Sequence, residues 1–372
     1  MPVAPHRASS WRWGVKMVLR IWSRVCLAVF ALMLAASPLA AQSAAPARIV
    51  AVGDLHGDYG AWIDIARAAG LVDAGNHWAG GRATLVQTGD IVDRGPDSLK
   101  IIRHLQQLDK EAAAAGGRVI VLVGNHEAMN VIGDLRYVDP GEYAAFRNRQ
   151  SEALRLAAWD ANSTSLVAKY KARYPAMTDT EIRADWFKVT PLGKLEHDRA
   201  WGPAGEFGRW AASLPAMVKL GDTLFVHGGL SAPYTAMGGV DAINRRVRAA
   251  VAAGDTSPTS ILTDPLGPLW YRGLITRGPA FEQEVAEAAA AAGKPNIARP
   301  PIEQELDLVL TGFGAKRLVV GHTPNLAGIA ISHGGRLVRI DTGNSRYYKG
   351  QLSWLEIIGD QLTPHAVARA SQ

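Results

Sequence analysis

Cysteine is almost absent from this chain. The only one is Cys26, so everything after the first segment is without disulfides and without thiol chemistry. Long apolar runs are missing as well. The stretch Cys26 to Ala36 is too short to span a bilayer stably. A third absence is excess charge in the body. The pI near 9.4 invites a nucleic-acid reading. However, Arg7, Arg12, Lys16, Arg20 and Arg24 all precede Arg48, with no acidic residue among them. Removing these five from the net +6 leaves +1. No global basic field therefore steers the body to nucleic acid or to a membrane. Hydrophobic residues at 48% and charged residues at 20% are the proportions of an ordinary globular chain, which argues against disorder.

The basic first segment has the physics of a secretion signal. Arg20 and Arg24 form a positive flank, Cys26 to Ala36 an apolar core, and Ser37-Pro38 a break. Small residues follow in Ala40-Ala41-Gln42-Ser43-Ala44-Ala45, which places cleavage between Ala41 and Ala45. Residues 1–45 are expected to be this signal, with Met17 the more ordinary start for it. A retained anchor helix is the alternative. Arg24 and Val25 before Cys26 give no lipobox, so lipid attachment is not expected. Export of a cysteine-free body fits a periplasmic or secreted location, with membrane contact only through the transient signal.

Residues 46–372 suffice for one large domain with an insertion or for two closely packed domains. Arg48 to Val52, Ala83 to Gln87 and Arg118 to Val123 are short apolar runs, each ending at a glycine followed by Asp or Asn. They read as buried strands that deliver ligands from their C-terminal ends. Tyr59 to Ala69 and a stretch from about Pro96 to Ala115 read as helices between them. From about 140 to 215 the apolar spacing is helical and no ligand-bearing turn occurs, so a helical insertion is expected there. Its tryptophans (Trp159, Trp186, Trp201, Trp210) are expected mainly in core packing. Met217 to Val226 returns to strands ending at His227. Glu284 to Ala292 and Ile302 to Leu310 read as helices, and Arg317 to Val320 as a strand leading to His322. Gly328 to Ile357 is expected to be a closing antiparallel set.

Four blocks stand out against this frame: Gly53-Asp54-Leu55-His56-Gly57, Gly89-Asp90-Ile91-Val92-Asp93-Arg94-Gly95, Gly124-Asn125-His126-Glu127 and His227-Gly228-Gly229. A lone Asp-x-His carries little information. Together the blocks supply oxygen and nitrogen ligands for two cations, a spare acid/base pair and a phosphate-binding arginine. That is the equipment of metal-assisted phosphate-ester hydrolysis. Asp54 and His56 alternate along a segment expected to be extended, which would turn both to one side. Asp90 has two carboxylate oxygens and can bridge two ions.

The first three blocks resemble the metallophosphoesterase superfamily, and within it the phosphoprotein phosphatase branch. Asn125-His126-Glu127-Ala128-Met129-Asn130 and Gly133-Asp134-Leu135-Arg136-Tyr137-Val138 are similar to the group called Shewanella-like protein phosphatases. So are Gly267-Pro268-Leu269-Trp270-Tyr271-Arg272-Gly273 and Gly321-His322-Thr323-Pro324-Asn325. The resemblance implies an α/β fold of two mixed β-sheets packed as an αββα sandwich. It implies two divalent metal ions (Mn, Fe or Zn), the first held by Asp54, His56 and Asp90. Asp90 would bridge to the second, completed by Asn125, His227 and His322. A water or hydroxide between the ions would attack phosphorus in line. Arg94 resembles the family's phosphate clamp. Arg272 is a second clamp candidate, with an ordinary surface salt bridge as its plainer role. His126 resembles the general acid, oriented by Asp93, and Glu127 is assigned to holding the turn.

The implied substrates are phosphorylated proteins or peptides, and the sequence leaves phosphotyrosine against phosphoserine or phosphothreonine open. The eukaryotic branch carries a Ser-Ala-Pro-Asn-Tyr loop near its C-terminus. The matching end here reads Ile340-Asp341-Thr342-Gly343-Asn344-Ser345-Arg346-Tyr347-Tyr348. Asp134, Arg136 and Tyr137 are candidates for shaping the substrate site. A dinucleoside polyphosphate hydrolase is the alternative enzyme, and an inactive phosphoprotein-binding module the alternative outside enzymes.

The signal reading is checked by N-terminal sequencing of protein from the native cell. The chain should begin between about Gln42 and Pro46. A cytosolic protein starting at Met1 or Met17 rules the signal out.

Overall fold

The computed structural model describes Met1 and residues 48–369. The expected export signal and its cleavage site lie outside these residues. The chain starts with three short apolar strands, β1 (Arg48–Val52), β2 (Thr84–Gln87) and β3 (Arg118–Val121). Helices Tyr59–Ala68 and Ser98–Ala114 connect them. The first helix begins where the Asp58 carboxylate accepts the Ala61 N–H at 3.0 Å, relieving one of the unpaired donors of its first turn. Asn125–Val131 follows β3 directly as a short helix.

Between β3 and Met217 every regular element is a helix, and after Asn125–Val131 these are Pro140–Phe146, Ser151–Arg173, Asp179–Val189, Lys194–Trp201 and Glu206–Ser213. Their tryptophans pack in two aromatic groups. Trp159 lies 5.4 Å from Trp186, and Trp201 lies 5.5 Å from Phe207 and 6.3 Å from Trp210. The chain then forms β4 (Met217–Leu220), β5 (Thr223–Val226), β6 (Arg317–Val320), β7 (Ala330–Ser332), β8 (Leu337–Arg339), β9 (Leu352–Ile358) and β10 (Gln361–Val367). Helices Gly239–Ala253, Pro279–Ala291 and Ile302–Phe313 lie between β5 and β6.

Two mixed five-stranded sheets result, ordered β10-β9-β1-β2-β3 and β4-β5-β6-β8-β7. The period-two alternation of strand side chains explains how they stack. Ala51, Val86, Ile120 and Leu355 of the first sheet share one apolar layer with Phe225, Val319 and Val338 of the second. Val50, Val52 and Leu85 face the other way, into a cluster with Trp62, Ile65, Ile101 and Leu105 of the helices. Helices outside and sheets inside make the expected αββα sandwich.

The closing strands differ from the sequence reading. They form two antiparallel hairpins, but each joins a different sheet. β7 and β8 pair with each other, while β8 also lies parallel to β6. β9 returns antiparallel to β1, and β10 forms the edge beyond it, where Pro364 is tolerated. Sequence neighbours cannot reveal which distant strand a hairpin joins.

One carboxylate ties the ligand-bearing turns together. Glu127 is fully buried and accepts three backbone N–H groups: Asp90 at 2.9 Å, Ile91 at 2.8 Å and Gly124 at 2.8 Å. The first turn joins the same assembly, since Leu55 and His56 both donate to the Asp90 carbonyl, at 2.9 and 3.0 Å. Gly124 must be glycine here, because a Cβ would collide with Asp90 Oδ1. Replacing Glu127 with Ala strands three buried donors. Stability should fall by roughly 3 kcal/mol or more, read as a lower urea midpoint with unchanged slope. An unchanged midpoint would mean that the three N–H groups have other acceptors.

Candidate metal centre

Asp54, His56, Asp90, Asn125, His227 and His322 are scattered over nearly 270 positions of sequence, and all are buried at 5% exposure or less. The fold brings them to one point. His56 Nε2 lies 3.9 Å from Asp54 Oδ2 and 4.0 Å from Asp90 Oδ2. On the other side of Asp90, Oδ1 lies 3.3 Å from His227 Nε2, which is 2.8 Å from Asn125 Oδ1. Two groups have donor atoms within 4.8 Å of one another: His56, Asp90 and His126, and Asp90, His227 and His322. Asp90 is shared by both. Asp54 closes the other end, with its carboxylate accepting the His322 backbone N–H at 3.1 and 3.2 Å.

The chemistry of this donor set fits cations. His56 Nδ1 faces the Val92 carbonyl at 3.0 Å, and His227 Nδ1 faces the Thr88 carbonyl at 2.8 Å. Only an N–H satisfies a carbonyl, so in the neutral rings the lone pairs sit on the inward Nε2 atoms. Burial, then the neighbouring His126, holds the His56 pKa down at about 3, so its ring stays neutral. Burial and Arg272 likewise hold His322 well below the usual range. His322 Nε2 is buried without a hydrogen-bond partner among the described residues. Meanwhile Asp54, Asp90, Glu127 and Asp341 crowd together, each 2% exposed or less. Burial first, and then Asp341 and Asp90, push the Asp54 carboxyl well above its ordinary pKa. Divalent cations would relieve that repulsion and take up the free lone pairs.

Beside this cluster lies a second constellation. His126 Nδ1 meets Asp93 Oδ2 at 2.6 Å, and Asp93 Oδ1 accepts from Asn130 Nδ2 at 2.9 Å. His126 Nε2 therefore points inward, 3.8 Å from Asp90 Oδ2. Burial opposes a charge on His126, but Asp90 and the Asp93 hydrogen bond raise its pKa above the ordinary value. Its protonated form is thereby favoured. Arg94 follows in the same turn. Its guanidinium carbon lies 4.5 Å from the Tyr137 ring, 4.9 Å from Tyr347 and 5.1 Å from Tyr348. Its Nε has no partner among the described residues, so rings hold the cation without consuming its donors. The Tyr137 ring also lies 5.1 Å from His126, and Tyr348 lies 5.5 Å from His56.

Arg272 is half-buried. Burial lowers its pKa, against the charges of Glu284 first and then of Asp90 and Asp54. Its near neighbour in sequence, Trp270, packs 5.6 Å from His322. Arg136 differs: it is exposed and paired with Asp134 at 2.5 Å. Of the three candidates for shaping the substrate site, Tyr137 reaches the centre, while Asp134 and Arg136 engage each other.

One expectation is corrected. Asp54 and His56 do not alternate along an extended strand. β1 ends at Val52, and His56 has φ 44°, in the left-handed region. Asp90 (54°), Asp93 (70°), Arg94 (66°) and His322 (64°) share that region. Among the described residues, five of the eight non-glycine residues with positive φ are therefore in the site, where the surrounding hydrogen bonds hold the strain. Sequence reasoning did not single out Asp341 and Asn344. Burial pushes the Asp341 pKa up to about 6, and Asn344 Nδ2 donates to the Asp54 carbonyl at 3.3 Å. Asp341 carries a partial signal, since it follows the strand Leu337-Val338-Arg339 and Ile340 much as Asp54 follows β1.

Comparison with known proteins agrees with this geometry. The profile of the family described as calcineurin-like phosphoesterase matches residues 47–326. An uncharacterized protein of Schizosaccharomyces pombe is 32% identical over 321 residues, covering 84% of this chain and 77% of that protein. Shewanella-like protein phosphatase 2 of Arabidopsis thaliana is 32% identical over 305 residues, covering 81% of this chain and 72% of that one. Among solved structures, the cold-active protein-tyrosine phosphatase of a psychrophilic Shewanella species is similar at 26% identity and a TM-score of 0.59. That match covers 87% of this chain and 81% of the other. With the matched profile spanning most of its length, the chain belongs to the calcineurin-like phosphoesterase family and is a metal-dependent phosphoesterase with protein phosphatases among its relatives.

Proposed function

We propose that this phosphoesterase hydrolyses phosphate monoesters on proteins or peptides, with phosphotyrosine preferred over phosphoserine and phosphothreonine. The observation that carries the reading is the wall of Tyr137, Tyr347 and Tyr348 around Arg94, next to His126. A phosphate clamped by Arg94 places its ester group against aromatic rings, which favour an aryl group by stacking and edge contacts. Tyr137 and Tyr347 are exposed, so the wall stands at the mouth, where a peptide can lie. The similarity to the cold-active protein-tyrosine phosphatase supports the same preference.

In this reading Asp54, His56 and Asp90 hold one cation, and Asp90, Asn125, His227 and His322 the other. Mixed carboxylate, amide and imidazole donors suit Mn, Fe or Zn. When bound, the ions supply Lewis acidity, lowering the pKa of a water nucleophile and neutralising the phosphoryl oxygens. Arg94 binds phosphate oxygens through its free N–H donors, with Arg272 as the second clamp. His126 gives the proton on Nε2 to the leaving ester oxygen as the P–O bond breaks, and Asp93 fixes the ring and stabilises its charge. The first segment exports the enzyme to act outside the cytoplasm.

His126→Asn should leave metal content nearly intact and slow turnover of a phosphotyrosine peptide by about 10²–10⁴-fold. The loss should shrink for p-nitrophenyl phosphate, whose leaving group departs without a proton. Equal losses on both substrates would assign His126 a structural role.

The substrate reading is tested by measuring kcat/KM on matched phosphotyrosine, phosphoserine and phosphothreonine peptides and on a diadenosine polyphosphate. Phosphotyrosine should lead the other peptides by about tenfold or more, the size of one good aromatic contact. Tyr137→Ala should narrow that gap. A leading diadenosine polyphosphate would replace the protein-phosphatase reading with the nucleotide one.

A further inference from the structure

The Asp93–Arg94 turn poses a physical problem. Two consecutive non-glycine residues adopt φ 70° and 66°, a conformation that L-residues avoid. Something must hold it, because small rotations there would swing Asp93 off His126 and Arg94 out from under the tyrosines. The support comes from one segment of the chain. The Arg94 N–H donates to the Tyr137 carbonyl at 2.9 Å, and the Asp93 N–H donates to Glu142 Oε1, also at 2.9 Å. The same Glu142 oxygen accepts the Ser98 hydroxyl, at the first residue of the helix Ser98–Ala114. Glu142 thus joins the turn to the start of the helix that follows it.

Its surroundings are unusual for a purely structural carboxylate. Glu142 is 3% exposed and sits beside Asp93, which is fully buried. Burial and the Asp93 charge push its pKa well above the ordinary carboxylate value. Its second oxygen faces Nε2 of His197 at 3.9 Å. His197 is fully buried, and neither ring nitrogen has a hydrogen-bond partner among the described residues. Tyr143 and Phe146 grip that ring edge-on, both at 5.1 Å. An apolar side chain of this volume would fill the space without two adjacent buried acids. The arrangement makes sense if the hydrogen bond to the turn is what matters.

We propose that Glu142 is a positioning residue that holds the Asp93–Arg94 turn in its left-handed form, with the ring of His197 packed behind it. It touches neither the cluster of candidate ligands nor the mouth of the site. The inference rests on the roles proposed above for Asp93, His126 and Arg94.

The experiment compares Glu142→Ala, Glu142→Met and Glu142→Gln with wild type and Arg94→Ala in the full chain. Metal content, thermal midpoint, inhibition by inorganic phosphate, and turnover of a phosphotyrosine peptide and p-nitrophenyl phosphate are measured. Ala and Met remove the acceptor, and Met also keeps the volume filled should Ala fail to fold. Both should retain two metal equivalents, lose about ten- to a hundredfold in kcat on the peptide, lose less on p-nitrophenyl phosphate, and bind inorganic phosphate more weakly. Gln keeps an amide oxygen at the same reach and should recover most of the loss. A folded Met variant with a lowered thermal midpoint but normal kcat and phosphate inhibition overturns the proposal. So does a Gln variant as impaired as Met. If Arg94→Ala leaves phosphate inhibition unchanged, the assignment of the clamp is wrong and this inference falls with it. If Arg94→Ala weakens inhibition and the Glu142 variants do not, only this inference falls.

Discussion

The buried carboxylate of Glu127 is the constraint on which the site depends. Three backbone N–H groups from two separate turns converge on its two oxygens. Charge-assisted bonds of this kind are the strong ones in a low-dielectric interior. They fix the backbone of Asp90 relative to Asn125 and His126, and the Asp90 carbonyl in turn fixes Leu55 and His56. Ligand geometry in this enzyme is thus set by main-chain bonds before any side chain chooses a rotamer.

Such a site is costly to a fold. Buried acids repel, imidazoles lie dry, and five residues occupy left-handed backbone conformations. The rest of the molecule offsets this with an ordinary apolar interior: one layer between the sheets and a larger one beneath the helices. The division of labour follows the strands. Their alternating side chains build the two layers, and their C-terminal ends, where alternation stops, carry the chemistry.

The legible part of the sequence was the part encoded locally. Apolar runs that stop at Gly-Asp or Gly-Asn marked β1, β2 and β3, and the short blocks after them named most of the cluster. What the chain did not disclose depends on contacts across long separations. Nothing near β8 shows that it lies parallel to β6, and nothing near Asp341 shows that it approaches Asp54, nearly 290 positions earlier. Tyr347 and Glu142 are ordinary residues in their own neighbourhoods and become informative only beside Arg94 and Asp93. The left-handed turn at His56 was hidden for a related reason. Its stability comes from the Asp90 and Ile91 carbonyls of another strand end, against the preference of the residue itself.

The cluster straddles the two sheets. Asp54, Asp90 and Asn125 follow strands of the first, while His227 and His322 follow strands of the second. An ion held between Asp90 and His227 would therefore act as a non-covalent staple between two sheets that share no strand pairing. Residues 46–372 carry no cysteine, so the staple would take the place that a disulfide fills elsewhere. Because it forms only when both sheets are in place, cation binding draws on the folded state and raises resistance to unfolding with every increase in free ion. The same ions that set the chemistry would then also set how long the enzyme survives proteolysis.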